Sequence, residues 1–144
     1  MPNNTYSMSG SKEIKVTADV RGLDEGRDFV ASTLSEMEAG PETTFSLTTS
    51  FLELFENLIR HGYGGESGTA TIGIDVKDEG ATLTVTDSSG EFDLLEYKGP
   101  DQAAMIKEGI TGKMGIKTIK VLCDSVTYLR DSNMNKYILK KKRG

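Results

Sequence analysis

The stretch Glu53-Leu54-Phe55-Glu56-Asn57-Leu58-Ile59-Arg60-His61-Gly62-Tyr63 decides how the chain folds. With Glu53 at zero and ~100° per residue, Leu47, Phe51, Leu52, Leu54, Phe55, Leu58 and Ile59 fill one arc, from about 100° to about 260°. Glu53, Glu56, Asn57, Arg60 and His61 fill the remainder. A broad apolar stripe opposite a polar face is the pattern of a helix lying on a core. The helix is predicted over residues 41–61, and Gly40-Pro41 supplies its start.

Upstream, Ile14 and Val16, continued by Ala18 and Val20, alternate as in a strand over residues 12–20. Asp24 is placed to cap a first helix running to about Ala39, with Val30, Leu34 and Met37 at helical spacing. Downstream the period falls to two. Ala70, Ile72, Ile74 and Val76 alternate with polar residues, Asp78-Glu79-Gly80 turns the chain, and Ala81, Leu83 and Val85 return it to Asp87. Residues 88–112 hold several glycines and no sustained period, which predicts a long loop with a short helix near residues 102–106. A helix over residues 114–123 follows, carrying Ile119, Leu122 and Cys123 on one stripe. Strands at 125–130 and 136–141, joined by a turn at 131–135, close the chain.

The order β-α-α-β-β-loop-α-β-β predicts an α/β (α+β) two-layer sandwich: a mostly antiparallel mixed sheet covered on one face by three helices. The length of 144 residues is that of one domain, expected over residues 12–144 behind a disordered leader at 1–11. Hydrophobic residues at 36% and charged residues at 27% fit a globular protein and exclude collagen-like, disulfide-stapled and extended disordered classes. Cys123 is the single cysteine, which removes any intrachain disulfide. The first ten residues carry no apolar signal-peptide core, and no apolar run approaches bilayer length, so a cytoplasmic protein without membrane association is expected. Charge is uneven: residues 1–111 carry 8 Lys+Arg against 20 Asp+Glu, and residues 112–144 carry 9 against 2. The acidic body argues against direct nucleic-acid binding. The basic end suits an anionic ligand or an acidic partner, and equally a solvated tail.

Three constellations bear on chemistry. Glu53 and Asn57 lie one helical turn apart and point the same way. A carboxylate there can accept a proton, and an amide oxygen can ligate a hard cation such as Mg²⁺. A solvated face containing the same two residues is the plainer alternative. Asp87-Ser88-Ser89-Gly90-Glu91-Phe92-Asp93 begins where an apolar strand stops. Such an Asp can accept from an exocyclic amine, or it can simply open a polar turn. Gly109-Ile110-Thr111-Gly112-Lys113-Met114-Gly115 precedes a helix and offers backbone N–H groups and a lysine to an anion, or a flexible loop that caps the helix. It does not match a P-loop. His61, the only histidine, and Cys123 are read as a ligand-edge or structural residue and a core residue respectively.

Taken in order, these elements resemble the GHKL (Bergerat-fold) ATPases, and more narrowly the RsbW/SpoIIAB-type anti-sigma factor serine/threonine protein kinases of bacteria, over residues 12–142. The stretch from Glu53 to Tyr63 is similar to the family's N-box. Val85-Thr86-Asp87 through Phe92-Asp93 resembles its G1 box. Lys113-Met114-Gly115-Ile116, followed by Cys123-Asp124-Ser125-Val126, resembles its G2 box and the helix after it. The resemblance implies that Glu53 is the general base toward a Ser or Thr hydroxyl and that Asn57 holds Mg²⁺ on the nucleotide phosphates. It implies that Asp87 binds the adenine amino group, that Ser89 and Gly90 belong to the nucleotide site, and that Gly112, Lys113, Met114 and Gly115 meet the phosphates of ATP or ADP. Residues 94–111 would form a lid. The partners implied are a sigma factor, a STAS-domain anti-sigma factor antagonist and a second copy of the chain as a possible homodimer.

The chain departs from the family where Ser89 stands in place of a glycine, where Lys113 stands two positions before Gly115, and at Asn133-Met134-Asn135, where a Gly-Thr pair is common. These departures motivate an alternative: a non-catalytic partner-binding module with the same fold and weakened or lost nucleotide binding. A sensor histidine kinase catalytic domain is a third reading, ranked below because no dimerising helix with an acceptor histidine stands upstream.

Overall fold

The computed structural model describes residues 10–62, 68–88 and 115–144. The elements are β1 (Gly10–Thr17), α1 (Val20–Glu36), α2 (Pro41–Asn57), a π-helical turn (Leu58–Gly62), β2 (Thr69–Lys77), β3 (Gly80–Asp87), α3 (Gly115–Leu122), β4 (Ser125–Asp131) and β5 (Met134–Lys142). The strands form one five-stranded sheet in the order β1-β2-β3-β5-β4, and each pairing among them is antiparallel. The expected sheet and its three helices are therefore present, without a parallel pair among the described strands. The leader lies outside the described residues except for Gly10 and Ser11, which belong to β1.

Strand periodicity and burial agree residue by residue. Ala70, Ile72, Ile74 and Val76 of β2 and Ala81, Leu83 and Val85 of β3 are buried on the face that meets the helices. Tyr137 and Leu139 of β5 continue that face. Phe51, Leu54, Phe55 and Leu58 press onto it from α2, with Phe51 and Phe55 stacked at 5.1 Å. No helix of the described residues is long and apolar enough to cross a membrane.

Several boundaries differ from the sequence expectation: β1 ends at Thr17, so Ala18 and Val20 lie beyond it, and Val20 instead opens α1 and is exposed. The cap of α1 is Asp19, not Asp24. Its side chain accepts the Gly22 N–H at 2.8 Å, and the Thr17 hydroxyl donates to the same oxygen. Those local bonds hold the Asp19 carboxyl below its ordinary pKa. The last hairpin turns on Ser132 and Asn133 alone, both in the left-handed region at φ 52° and 64°, the conformation of a type I′ turn. Asn135, expected in the turn, is consequently a strand residue.

The start of α2 is fixed at the end of β5. The Thr43 hydroxyl donates to the Lys142 carbonyl at 2.5 Å, and the Thr43 N–H donates to the Gly144 carbonyl at 3.0 Å. Gly40 makes this approach possible. Its φ is 104°, and a Cβ there would stand 2.1 Å from the Gly144 oxygen.

Candidate functional site

The anchoring of Thr43 sets the direction of α2. Gly80, at the start of β3, pairs with Lys142, and Asp87, at its end, pairs with Asn135. Both α2 and β3 therefore leave from the Lys142 end of the sheet. Phe51 sits at the level of Ile72, since a Cβ on Gly26 would touch both side chains. Ile72 pairs with Val85. From Phe51 to Asn57 the helix rises about 9 Å. From Val85 to Asp87 the strand rises about 7 Å. Glu53 and Asn57 thus stand toward the end of the sheet that carries Asp87.

Asn57 is 1% exposed. Placing it on a wholly polar, solvated face assumed that α2 meets only the sheet. The structure puts α2 in contact with α1 and α3 as well, so its flanks are covered, and Thr43, Ser46, Ser50 and Asn57 are all buried. The Asn57 amide donates to the Glu53 carbonyl one turn back at 2.7 Å, which fixes the side chain along the helix. The α-helix ends at Asn57 rather than at His61, and the π-helical turn follows directly. Such turns frequently occur at functional sites.

Glu53 is half-buried. Burial raises its carboxyl above the ordinary glutamate value, the Glu56 charge adds to the rise, and the Arg60 charge opposes it. The result is a carboxylate of increased basicity beside an amide.

Asp87 is 1% exposed and shares the inward face of β3 with Val85. Its Oδ1 accepts from Asn135 Nδ2 at 2.9 Å. Asn135 is wholly buried, and its Oδ1 accepts from Tyr128 Oη at 2.6 Å and from Arg130 Nη1 at 2.8 Å. Sequence reasoning noted Asn135 only as part of a departure from the family pattern, within the expected turn, and gave it no role. Its inward parity with Tyr137 and Leu139, and the rarity of asparagine inside strands, are the signals that could have found it. Gly115 opens α3. Ser89, Gly90, Gly112, Lys113, Met114, the lid at 94–111 and Tyr63 lie outside the described residues.

The fold has solved counterparts. One is the crystal structure of the RsbU and RsbW domains of Rv1364c from Mycobacterium tuberculosis, at 16% identity and a TM-score of 0.66, covering 94% of this chain and 33% of that one. This chain thus spans about a third of that protein's length. A second is the SiaB-SiaC complex from Pseudomonas aeruginosa, at 16% identity and a TM-score of 0.58, covering 91% of this chain and 89% of that one. At this identity the likeness is one of fold. No curated protein matches the chain. Residues 16–141, nearly the whole chain and including Glu53, Asn57 and Asp87, match the family model described as the histidine kinase-like ATPase domain. The chain belongs to the histidine kinase-like ATPase domain family.

Proposed function

We propose that the protein is an anti-sigma factor with ATP-dependent serine/threonine protein kinase activity toward a STAS-domain antagonist. The observation that carries this reading is a half-buried Glu53 bonded through its carbonyl to a buried Asn57, at the end of the sheet where Asp87 is buried. The family match supports an ATP-using domain. Likeness of fold to an RsbW-containing protein supports partner switching, in which ATP or ADP selects one complex over another.

In this reading Asp87 accepts a hydrogen bond from the adenine amino group. Asn57 offers an amide oxygen, a hard donor suited to Mg²⁺. Among the described residues no group of three or more His, Cys, Asp or Glu is gathered for a metal. A cation held by one protein oxygen together with phosphates and water is the usual way of Mg²⁺. When bound, the cation neutralises charge on the phosphates. Glu53 takes the proton of the substrate hydroxyl, and its raised basicity suits that role. Ser89, Gly90, Gly112, Lys113, Met114 and Gly115 keep the nucleotide contacts, and residues 94–111 the lid, that the resemblance implies. A homodimer in the cytoplasm completes the proposal.

Incubation with Mg²⁺-ATP and a candidate antagonist tests the reading. The expected result is phosphate on a Ser or Thr of the antagonist. Its absence while both molecules bind removes the kinase.

Ser89 and Lys113 favour a second reading, a partner-binding module without nucleotide dependence. Calorimetry with Mg²⁺-ADP separates the two, since 1:1 binding counts against the module.

A further inference from the structure

We propose that Asn135 is a positioning residue for purine recognition: held by Tyr128 and Arg130, it fixes Asp87 as a hydrogen-bond acceptor and so selects a ring bearing an amino group over one bearing an oxo group. The inference rests on the nucleotide reading above.

The argument starts from register. Asp87 and Asn135 are paired across β3 and β5, with both side chains on the inward face and both buried. An asparagine amide has a donor end and an acceptor end, and swapping them changes the chemistry of the pair. Here the choice is forced. Arg130 Nη1 can only donate, so the atom 2.8 Å from it is the Asn135 oxygen. The Tyr128 hydroxyl meets the same oxygen at 2.6 Å, and its ring is held against Tyr137 at 5.1 Å. The Asn135 NH₂ is thereby directed at Asp87 Oδ1, at 2.9 Å. Turned over, the amide would set donor against donor at Arg130 and oxygen against carboxylate at Asp87.

The consequence falls on the ligand. Held as a hydrogen-bond acceptor by the Asn135 amide, Asp87 bonds an exocyclic amino group and repels an oxo group at the same place. A site built to bond one polar group rejects the analogue lacking it, because its own buried polar atoms would go unpaired. Arg130 is linked to Asp87 through the Asn135 amide, whose oxygen it meets and whose NH₂ meets the carboxylate.

The test compares ADP with inosine diphosphate, whose ring carries oxygen in place of the amino group, by calorimetry in Mg²⁺. Wild type is expected to favour ADP by roughly tenfold or more, the size of one hydrogen bond to a charged group. Asn135→Ala is expected to shrink that ratio severalfold by weakening ADP while leaving inosine diphosphate nearly unchanged. Arg130→Met, at a half-buried site, releases one clamp on the amide and is expected to give a smaller loss of the same ratio. If Asn135→Ala fails to fold, Arg130→Met decides alone. A purely structural role weakens both nucleotides equally, and an unchanged ratio in the folded variants overturns the inference while nucleotide binding stands. Equal wild-type affinity for the two nucleotides overturns it in the same way. Wild type that binds neither overturns the nucleotide reading, and this inference with it.

Discussion

Asn57 turns its amide back along α2 and donates to the main-chain carbonyl of Glu53 at 2.7 Å, which fixes the proposed metal ligand one helical turn from the proposed base. The pair is buried at Asn57 and half-open at Glu53. This suits one group that holds a cation and another that must meet a substrate hydroxyl. Asn57→Ala removes the amide and leaves the helix its backbone bonds. The lost hydrogen bond costs about 1 kcal/mol of stability. The expected outcome is a folded variant whose ADP affinity no longer responds to Mg²⁺, measured by calorimetry with and without the cation. Equal Mg²⁺ dependence in both proteins would return Asn57 to a packing role.

The environment of Glu53 predicts a pH profile. A base acts when ionised, so the phosphoryl-transfer rate should rise with pH through the Glu53 pKa, and that limb should lie above the ordinary glutamate range. Glu56→Gln removes a charge that raises the pKa and should move the limb down; Arg60→Met removes a charge that lowers it and should move the limb up. Stability has the opposite dependence. Because the folded state holds this proton more tightly than the unfolded chain, the contribution of Glu53 is full at low pH and is lost as pH rises through its folded-state pKa. A limb that ignores both substitutions would assign the proton transfer to another group.

Much of this was legible in the chain because strands and helices announce themselves by period. β2 and β3 bury the residues that the alternation marks, and α2 buries its predicted stripe. Asn57 was misplaced because a helical wheel knows one contact surface, whereas α2 is also covered on its flanks. Asn135 was given no role because the polar run from Asp131 to Asn135 looks like one long turn, whereas left-handed Ser132 and Asn133 reverse the chain in two residues. The cap of α1 shifted for a similar reason: Asp19 and Asp24 are alike in sequence, and only the bond to Gly22 distinguishes them. Pairing across strands distant in sequence, as between Asp87 and Asn135, leaves no local trace.

Cys123 is predicted to be chemically quiet. Its thiol lies in the core, 3.3 Å from the Ser50 hydroxyl, and burial raises its pKa, with Ser50 and Lys141 opposing. A buried thiol with a raised pKa holds little thiolate at neutral pH. Labelling by an aromatic disulfide reagent should therefore be slow in the native protein and fast in urea. Ser50→Ala removes an opposing bond and should slow native labelling further. Fast native labelling, insensitive to urea, would contradict the packing of α2 against α3.

A close approach of α1 to the core gives the last prediction. At Gly26 a Cβ would stand 2.3 Å from Phe51 Cζ and 2.8 Å from Ile72 Cδ1, and both neighbours are wholly buried. Overpacking of this kind costs about 1–3 kcal/mol. Alanine's better helix propensity returns up to about 1 kcal/mol. The net effect of Gly26→Ala should be destabilising, read as a lower urea midpoint at unchanged slope. Because Phe51 lies six residues before Asn57 on the same helix, a Phe51 forced aside would shift α2 at the site as well. The variant should therefore lose stability and ADP affinity together, and Gly26→Ala that gains stability would show that α1 has room to move away from Phe51.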